Sequence, residues 1–383
     1  MDFFVLIVIV VLGLAFISSF RNELSPQDLS QLKKLLFYHF IFGAYFCFFI
    51  QGDANGYWST SKLLTLEEFE TYFSEEKGTY FLFALNYYPS NVLGLSYFTG
   101  TMLYSLIGFI GLAYFYVTAV KLIPYNSKYK NYTLFPLLFF MPNLHFWSCA
   151  VGKDTLLFFC IGIFVYGIMD IFKRLPFLAL SLGLSYFIRP HITLFLLVSF
   201  GLAYVMSSKV SKGQRLIFSI ALIGIGVVIL PSVMQFAKIE EATVESFDNF
   251  SNAKADVLSR GNVGSRIDIS SYPFPLKVFT FLFRPLFFDI NGIPAVLASF
   301  ENLFLLLITV NIFRNNPLKT FKAAPFVIKG LVIFLIIGTL AFSQSLGNLG
   351  IMIRMRNMFL PGLLLFILWA FSYRKELEMN KKR

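Results

Sequence analysis

Long apolar runs recur along the whole chain and are separated by short connections that are basic or of mixed polarity. The runs are about 16 to 20 residues long, and a helix needs about 20 such residues to cross the hydrocarbon core of a bilayer. Charged residues make up only 14% of the chain, against about 25% in an ordinary soluble domain. The sequence therefore predicts an all-α, polytopic integral membrane protein.

We expect about eleven transmembrane helices, joined in a single transmembrane domain that covers the whole chain, residues 1–383. The predicted spans lie near residues 3–20, 35–50, 96–118, 132–147, 155–172, 175–189, 192–208, 215–234, 293–313, 325–342 and 357–373. The first span lacks a basic start and a small-residue cleavage site, so we interpret it as an uncleaved anchor. Segment 273–289 is apolar but short and contains Arg284 and two prolines. It is predicted to be a re-entrant or interfacial half-helix.

The basic residues are distributed unevenly between the connections. One alternate set of connections holds 20 of the 32 Lys and Arg residues: 21–34, 119–131, 173–174, 209–215, 314–329 and 374–383. By the positive-inside rule this set faces the cytoplasm, which places the amino terminus outside and the carboxyl terminus inside. The formal charge of +11 is thus explained by membrane topology, and no nucleic acid partner is expected.

Two long loops, 51–95 and 235–275, are predicted on the external face. The first contains Thr65-Leu-Glu-Glu68, a capping-box pattern followed by apolar residues on one helical face, which indicates a short amphipathic helix. The second is polar and longer than a connection requires. It is either a substrate-gating loop or a disordered excursion.

Several basic residues lie beside span ends on the predicted external face, where few are expected. They are Lys153, Arg189, Arg284, Arg354 and Arg356. Charges near lipid are costly, so these residues are candidates for binding an anionic ligand, unless their long side chains only snorkel to the interface.

Asp53 directly follows the second predicted span, within Gly-Asp-Ala-Asn-Gly-Tyr-Trp. It is either a functional carboxylate or a turn-forming residue. A calcium loop is excluded because the later ligands and the closing Glu are missing. His145 has no second ligand at metal spacing, which favours an interface histidine over a metal site.

Two further motifs place polar residues next to span ends. Asp154 is positioned to cap the helix that follows it, although the first-turn amides of that helix can instead receive a phosphate. In Arg189-Pro-His191, the proline disfavours helical geometry at Arg189, which would direct both polar side chains toward one crevice.

The last third of the chain repeats this pattern. Arg284-Pro is followed by Asp289, and Glu301 lies about two turns into the next predicted span, either in the site or in a salt bridge to a nearby Arg. Arg354 and Arg356 are two residues apart, so on a helix they point about 200° away from each other. We expect one of them to bind the ligand and the other to have a structural role, unless the stretch is extended.

Guanidinium groups around an external cavity suit a lipid-linked phosphate, because they bind phosphate oxygens and stay charged when partly dehydrated. With a carboxylate nearby, glycosyl transfer becomes possible: Asp53 would accept the proton of the attacking hydroxyl, and basic residues would stabilise the departing phosphate. The candidate substrate-binding residues are Lys153, Arg189, His191, Arg284, Asp289, Glu301, Arg354 and Arg356. The scheme requires no cofactor and no metal.

The chain resembles membrane proteins of bacterial capsule and exopolysaccharide clusters. The features that carry this resemblance are the order of the spans, Asp53, and the blocks around His145 to Asp154, Arg189 to His191, Arg284 to Glu301 and Gly347 to Arg356. More broadly, the chain resembles GT-C-fold glycosyltransferases and Wzy-type polymerases. The resemblance implies a polyprenyl-phosphate-linked sugar donor, a saccharide acceptor, a bacterial inner (cytoplasmic) membrane location, and an active site on the non-cytoplasmic face. The GT-C comparison assigns the base to Asp53, whereas a Wzy-like comparison gives more weight to the external arginines. Asp53 is not followed by a second acidic residue, which argues against a metal-assisted variant.

Two alternatives remain open at this stage. A transporter or flippase of lipid-linked saccharides needs charged residues along a path to both faces, and the cytoplasmic halves of the predicted spans carry few. In a non-catalytic membrane scaffold, the external arginines would be incidental.

Overall fold

A computed structural model describes residues 1–50, 52–207, 211–237, 265–269 and 271–381. The described chain is mainly helical, with almost no strand. Most of the predicted external loop 235–275 lies outside the described residues. Both interpretations of this loop, as a gating loop or as a disordered excursion, stay predictions.

The helices begin and end at defined residues in chain order. They are α1 (Asp2–Ser18), α2 (Pro26–Phe49), α3 (Asp53–Ser61), α4 (Leu66–Ser74), α5 (Thr79–Tyr87), α6 (Tyr97–Leu122), α7 (Leu134–Leu137), α8 (Pro142–Phe146), α9 (Lys153–Gly167), α10 (Leu175–Ile188), α11 (Pro190–Val205), α12 (Lys212–Ala237), α13 (Phe274–Phe283), α14 (Ile293–Phe313), α15 (Pro317–Ala323), α16 (Phe326–Ser343), α17 (Leu349–Arg356) and α18 (Leu360–Lys381). A two-stranded antiparallel ribbon, β1 (Lys128–Tyr129) and β2 (Tyr132–Thr133), precedes α7. Short π and 3₁₀ segments lie at Tyr88–Val92, Leu138–Phe140, Ile168–Asp170 and Phe287–Asp289.

Four described helices are long and apolar enough to cross a membrane: α2, α6, α14 and α16. The pair α17 and α18, which bends by 60°, would make a fifth span. The prediction of about eleven crossings is therefore not supported, although the prediction of an apolar, helical membrane protein holds at this coarser level.

Helix length explains the difference. Helices α9, α10 and α11 have 15, 14 and 16 residues, or roughly 21 to 24 Å at 1.5 Å per residue, short of a 30 Å core. The predicted span 132–147 is instead broken into a strand, α7, a 3₁₀ turn and α8. Pro136 and Pro142 in this stretch lack the backbone N–H that a continuous helix requires.

Packing divides the chain into two compact units. The first comprises Met1–Lys121 and Leu144–Arg189, and the second comprises Leu122–Asn143 and Pro190–Arg383. The single transmembrane domain predicted above stays a prediction.

In the first unit, polar contacts fix the relative direction of α1 and α6. At their amino-terminal ends, Asp2 Oδ1 accepts hydrogen bonds from the Ser96 N–H (2.9 Å) and from the Ser96 hydroxyl (2.8 Å). At the other ends, Lys121 forms an ion pair with Glu23. The two helices therefore run parallel, and the connections that begin at residues 21 and 119 meet at one end of the unit.

Helices α6 and α9 of the first unit approach each other backbone to backbone. A Cβ atom added at Gly162 would lie 2.7 Å from Gly111 Cα, and one added at Gly111 would lie 2.8 Å from Phe159 Cα. Small residues allow such close helix contact within membranes. Larger side chains at either glycine would push the two helices apart.

In the second unit, three connections that were predicted to share the cytoplasmic side meet. Trp369 Nε1 donates to the Thr320 carbonyl at 3.1 Å, the Tyr125 N–H donates to the Ser372 hydroxyl at 3.1 Å, and Lys375 Nζ donates to the Asn126 carbonyl at 3.1 Å. These contacts place the three connections close together, and the side of the membrane that they face stays a prediction.

The region predicted as external loop 51–95 is largely helical, since it contains α3, α4 and α5. The predicted amphipathic helix is confirmed as α4. Its capping box is formed as the sequence indicated: the Glu68 N–H donates to the Thr65 hydroxyl at 3.2 Å, and the Thr65 N–H donates to Glu68 Oε2 at 2.8 Å.

Candidate functional site

Asp53 is the first residue of α3 and follows an extended Gly52. The turn-forming alternative is therefore replaced by a helix start, where a carboxylate interacts favourably with the helix dipole. The side chain is exposed, and its Oδ2 lies 3.5 Å from the hydroxyl of Tyr57, one turn along α3. The predicted catalytic carboxylate is thus held at the end of a helix and accessible from outside the protein.

Lys153 lies at the start of α9 and reaches across to two other elements of the first unit. Its Nζ donates a 2.8 Å hydrogen bond to Thr79 Oγ1 at the start of α5. The same Nζ lies 5.6 Å from the centre of the Tyr57 ring, within the range of a cation–π interaction. Tyr57 therefore contacts both Asp53 and Lys153, two of the predicted site residues.

Arg189 is connected to the same part of the first unit through Asp154, the residue after Lys153. Arg189 Nη1 lies 3.0 Å from Asp154 Oδ1, with the two side chains 12% and 7% exposed. Gly152 is the N-cap of α9, so the predicted capping role of Asp154 is replaced by an ion pair. Arg189 has extended backbone angles after α10, as the following proline predicted.

One backbone contact brings these residues to the same end of the first unit. The Gly78 N–H donates a 2.8 Å hydrogen bond to the Phe187 carbonyl, which joins the start of α5 to the end of α10. Thr79 and Arg189 are the near neighbours of these two residues in sequence. The exposed carboxylate of Asp53 and the cationic side chains of Lys153 and Arg189 thus lie in one network. In such a network the carboxylate can accept a proton, and a cationic side chain can bind an anionic ligand beside it.

The remaining predicted residues belong to the second unit, and Arg284 and Asp289 bind each other. Arg284 Nε donates to Asp289 Oδ2 at 3.0 Å, and Arg284 Nη2 forms a second, parallel contact with the other carboxylate oxygen. These hydrogen bonds raise the pKa of Arg284 above its ordinary value, despite its partial burial. This bidentate ion pair therefore stabilises the turn that follows α13.

Arg354 and Arg356 lie on a regular helix, α17, so the extended alternative for this stretch is wrong. Arg356 is only 1% exposed. Its Nη2 donates to Asn302 Oδ1 at 2.6 Å, and its Nη1 donates to the Leu282 carbonyl. Arg356 is therefore the structural arginine of the two, while Arg354 is half-buried and its role on a ligand stays a prediction.

Glu301 and His191 each contact an uncharged residue of the structure. The Asn143 N–H donates a 2.9 Å hydrogen bond to Glu301 Oε2. Among the described residues, no ion pair includes Glu301, so the salt-bridge alternative is not formed there. The His191 ring packs 6.0 Å from the ring of Phe342.

His145 is fully buried rather than interfacial, which corrects the interpretation from sequence. Its Nδ1 lies 2.9 Å from Nδ1 of His39 on α2, and His39 Nε2 lies 3.2 Å from the Ser148 carbonyl. Since the carbonyl can only accept, His39 donates from Nε2, so His145 donates from Nδ1. Within the described ranges, no group of three or more His, Cys, Asp or Glu residues is arranged to hold a metal ion.

Sequence reasoning missed several partners of the predicted residues. They are Thr79, His39, Asn143 and Asn302. A histidine or an asparagine inside an apolar run was a usable signal for His39 and Asn302. No local signal pairs Thr79 with Lys153, because 74 residues separate them.

Comparisons of this chain with known protein families, with curated proteins and with solved structures found no match.

Proposed function

We propose that this chain is a membrane glycosyltransferase or polysaccharide polymerase that transfers sugars from a polyprenyl-phosphate-linked donor in cell-surface polysaccharide biosynthesis. The supporting observation is the network in the first unit. Asp53, Lys153 and Arg189 were singled out separately in the sequence, and they are linked there through Tyr57 and Asp154.

In this proposal the transfer inverts the configuration at the anomeric carbon of the donor sugar. The bond between that carbon and the phosphate oxygen of the donor breaks as a hydroxyl oxygen of the saccharide acceptor attacks. Asp53 accepts the proton of that hydroxyl, and its exposed position leaves room for an acceptor. The phosphate leaves with the bonding electron pair, and the positive charge of Lys153 offsets the charge that develops on it.

Arg189 has a different part in this scheme. Its guanidinium is paired with Asp154, so the pair carries no net charge and keeps the start of α9 in place beside α10. We assign Arg189 to positioning Lys153, the residue next to its partner. Arg354 and His191 are half-buried in the second unit, and their roles in binding a ligand stay predictions.

The proposed location is the bacterial inner membrane, with the amino terminus outside and the active site on the non-cytoplasmic face. This sidedness rests on the uneven distribution of Lys and Arg among the connections. The meeting of three basic connections in the second unit supports the grouping. The proposed partners are the lipid-linked donor, the saccharide acceptor and the bilayer.

The test is an Asp53→Asn variant expressed in cells from which the gene has been deleted. We expect the variant to insert and fold normally but to lose the polysaccharide, with accumulation of a saccharide on the polyprenyl carrier. Glu67→Gln is the matched control, because Glu67 is an exposed carboxylate on the neighbouring helix α4. Normal polysaccharide in cells with Asp53→Asn would contradict the enzymatic proposal and favour a scaffold.

A further inference from the structure

A cavity of about 410 Å³ lies in the second unit beside Glu301. Its walls are almost wholly apolar and are supplied by α14 and by the segment from β2 to α8. The lining residues are Tyr132, Leu137, Leu138, Phe140, Met141, Pro142, Leu297, Phe300, Glu301 and Phe304. Leu297 and Phe300 are also exposed at the protein surface, by 56% and 61%, so the cavity opens outward along a candidate membrane span.

Glu301 is the one charged residue of this lining, and its carboxylate is only half satisfied. Glu301 is 7% exposed, and its Oε2 accepts the Asn143 N–H. The side-chain amide of Asn143 is near enough to act on the carboxylate. Within the described part of the chain, however, Glu301 Oε1 and Asn143 Nδ2 are both buried without a hydrogen-bond partner. An acceptor on Glu301, which lines the cavity, and a donor on Asn143, the residue after Pro142 of the lining, are thus left without partners.

A buried polar atom without a partner costs free energy, so this pair is suited to a group that both donates and accepts. A hydroxyl group does both, whereas an ammonium group only donates. Charge favours the same choice. The buried guanidinium of Arg356 already acts electrostatically on Glu301, and a second cation would leave the buried region with a net positive charge.

We propose that this cavity binds a neutral long-chain alcohol, whose hydroxyl group hydrogen-bonds to the Glu301 carboxylate and whose hydrocarbon chain lies against the apolar walls. Glu301 Oε1 is covered in the structure, so the carboxylate turns about its terminal torsion, which is a soft torsion, and presents one of its two oxygens to the hydroxyl. This site lies in the second unit and does not depend on the proposed transferase activity.

The test uses the full-length protein in lipid nanodiscs and a fatty alcohol that carries a photoreactive diazirine in its chain. Photolabelled residues are mapped by mass spectrometry, with dodecanol, dodecane and dodecylamine as competitors. We expect labels on the cavity residues of α14. Dodecanol should compete about tenfold better than dodecane or dodecylamine. This is the affinity ratio expected from one additional hydrogen bond to a charged group.

Two variants on α14 separate the cavity from the surface around it. Leu297→Trp fills the cavity, since Leu297 lines it, and should abolish the labelling. Leu307→Trp is the control, because Leu307 is exposed on the same helix and does not line the cavity; labelling should be unchanged. Glu301→Asp keeps the charge that faces Arg356 but shortens the side chain, and should remove the preference for dodecanol over dodecane.

Three results would overturn the proposal. Equal competition by dodecane would show that the head group is not recognised, and stronger competition by dodecylamine would show that the site prefers a cation. Labelling that persists in Leu297→Trp would place the alcohol elsewhere on the protein.

Discussion

Arg189 Nη1 lies 3.0 Å from Asp154 Oδ1, and both side chains are largely buried. The pair joins the extended residue after α10 to the first turn of α9, 35 residues earlier in the chain. It therefore fixes the position of Lys153, which neighbours Asp154.

Removal of one charge from this pair should destabilise the protein. For Asp154→Asn we expect a loss of about 3 kcal/mol in the free energy of unfolding, because Arg189 is left buried without its counter-charge. Thermal unfolding of the purified protein in detergent measures the effect. The double variant Asp154→Leu with Arg189→Met removes both charges and should recover most of the loss. An equal loss in the single and double variants would show that the pair is not coupled.

Lys153 should matter for turnover rather than for folding. Loss of a charge-assisted contact with the donor phosphate in Lys153→Met should cost about 1.5 to 3 kcal/mol, or tenfold or more in rate. Lys77→Met is the matched control, since Lys77 also binds a hydroxyl group in the first unit, that of Tyr186 at 3.0 Å. The measurement is polysaccharide yield at equal protein level. Equal losses in both variants would remove the special role of Lys153.

The two arginines of α17 should separate stability from activity. Arg356→Gln leaves Asn302 and the Leu282 carbonyl without their buried donor, and we expect about 2 to 4 kcal/mol of destabilisation. Arg354→Gln changes a half-buried residue and should lower polysaccharide yield with a smaller change in melting temperature. Both variants are measured by thermal unfolding and by yield. If Arg354→Gln is the less stable of the two, the assignment is reversed.

The glycine contact between α6 and α9 predicts opposite effects for two similar substitutions. Gly162→Ala would place a methyl group 2.7 Å from Gly111 Cα, and we expect about 1 to 3 kcal/mol of destabilisation from overpacking. Gly183→Ala on α10 has no heavy atom within 4 Å of the added methyl and should be neutral or stabilise by up to about 1 kcal/mol. Thermal unfolding of the two variants side by side is the measurement, and similar melting temperatures would argue against the close packing.

The sequence predicted those features that depend on neighbouring residues. Apolar composition indicated a helical membrane protein, Thr65 and Glu68 indicated a capping box, and Pro190 indicated an extended Arg189. Each of these effects acts over a few residues, so a local pattern is enough to reveal it.

The number of spans and the partners of the site residues depend on more than local pattern. Apolar content shows that a segment avoids water, but where a helix ends depends on breaks such as those at Pro136 and Pro142. The contacts Lys153 to Thr79 and His39 to His145 join residues that are 74 and 106 positions apart. Nothing near any of these residues in sequence specifies such a partner.

Each compact unit is assembled from two separate stretches of the chain, and the stretches alternate. During synthesis, Leu122–Asn143 emerges before the second stretch of the first unit and long before the rest of its own unit. Its ribbon and short helices therefore cannot make their contacts with α14 and α18 before those helices are synthesised.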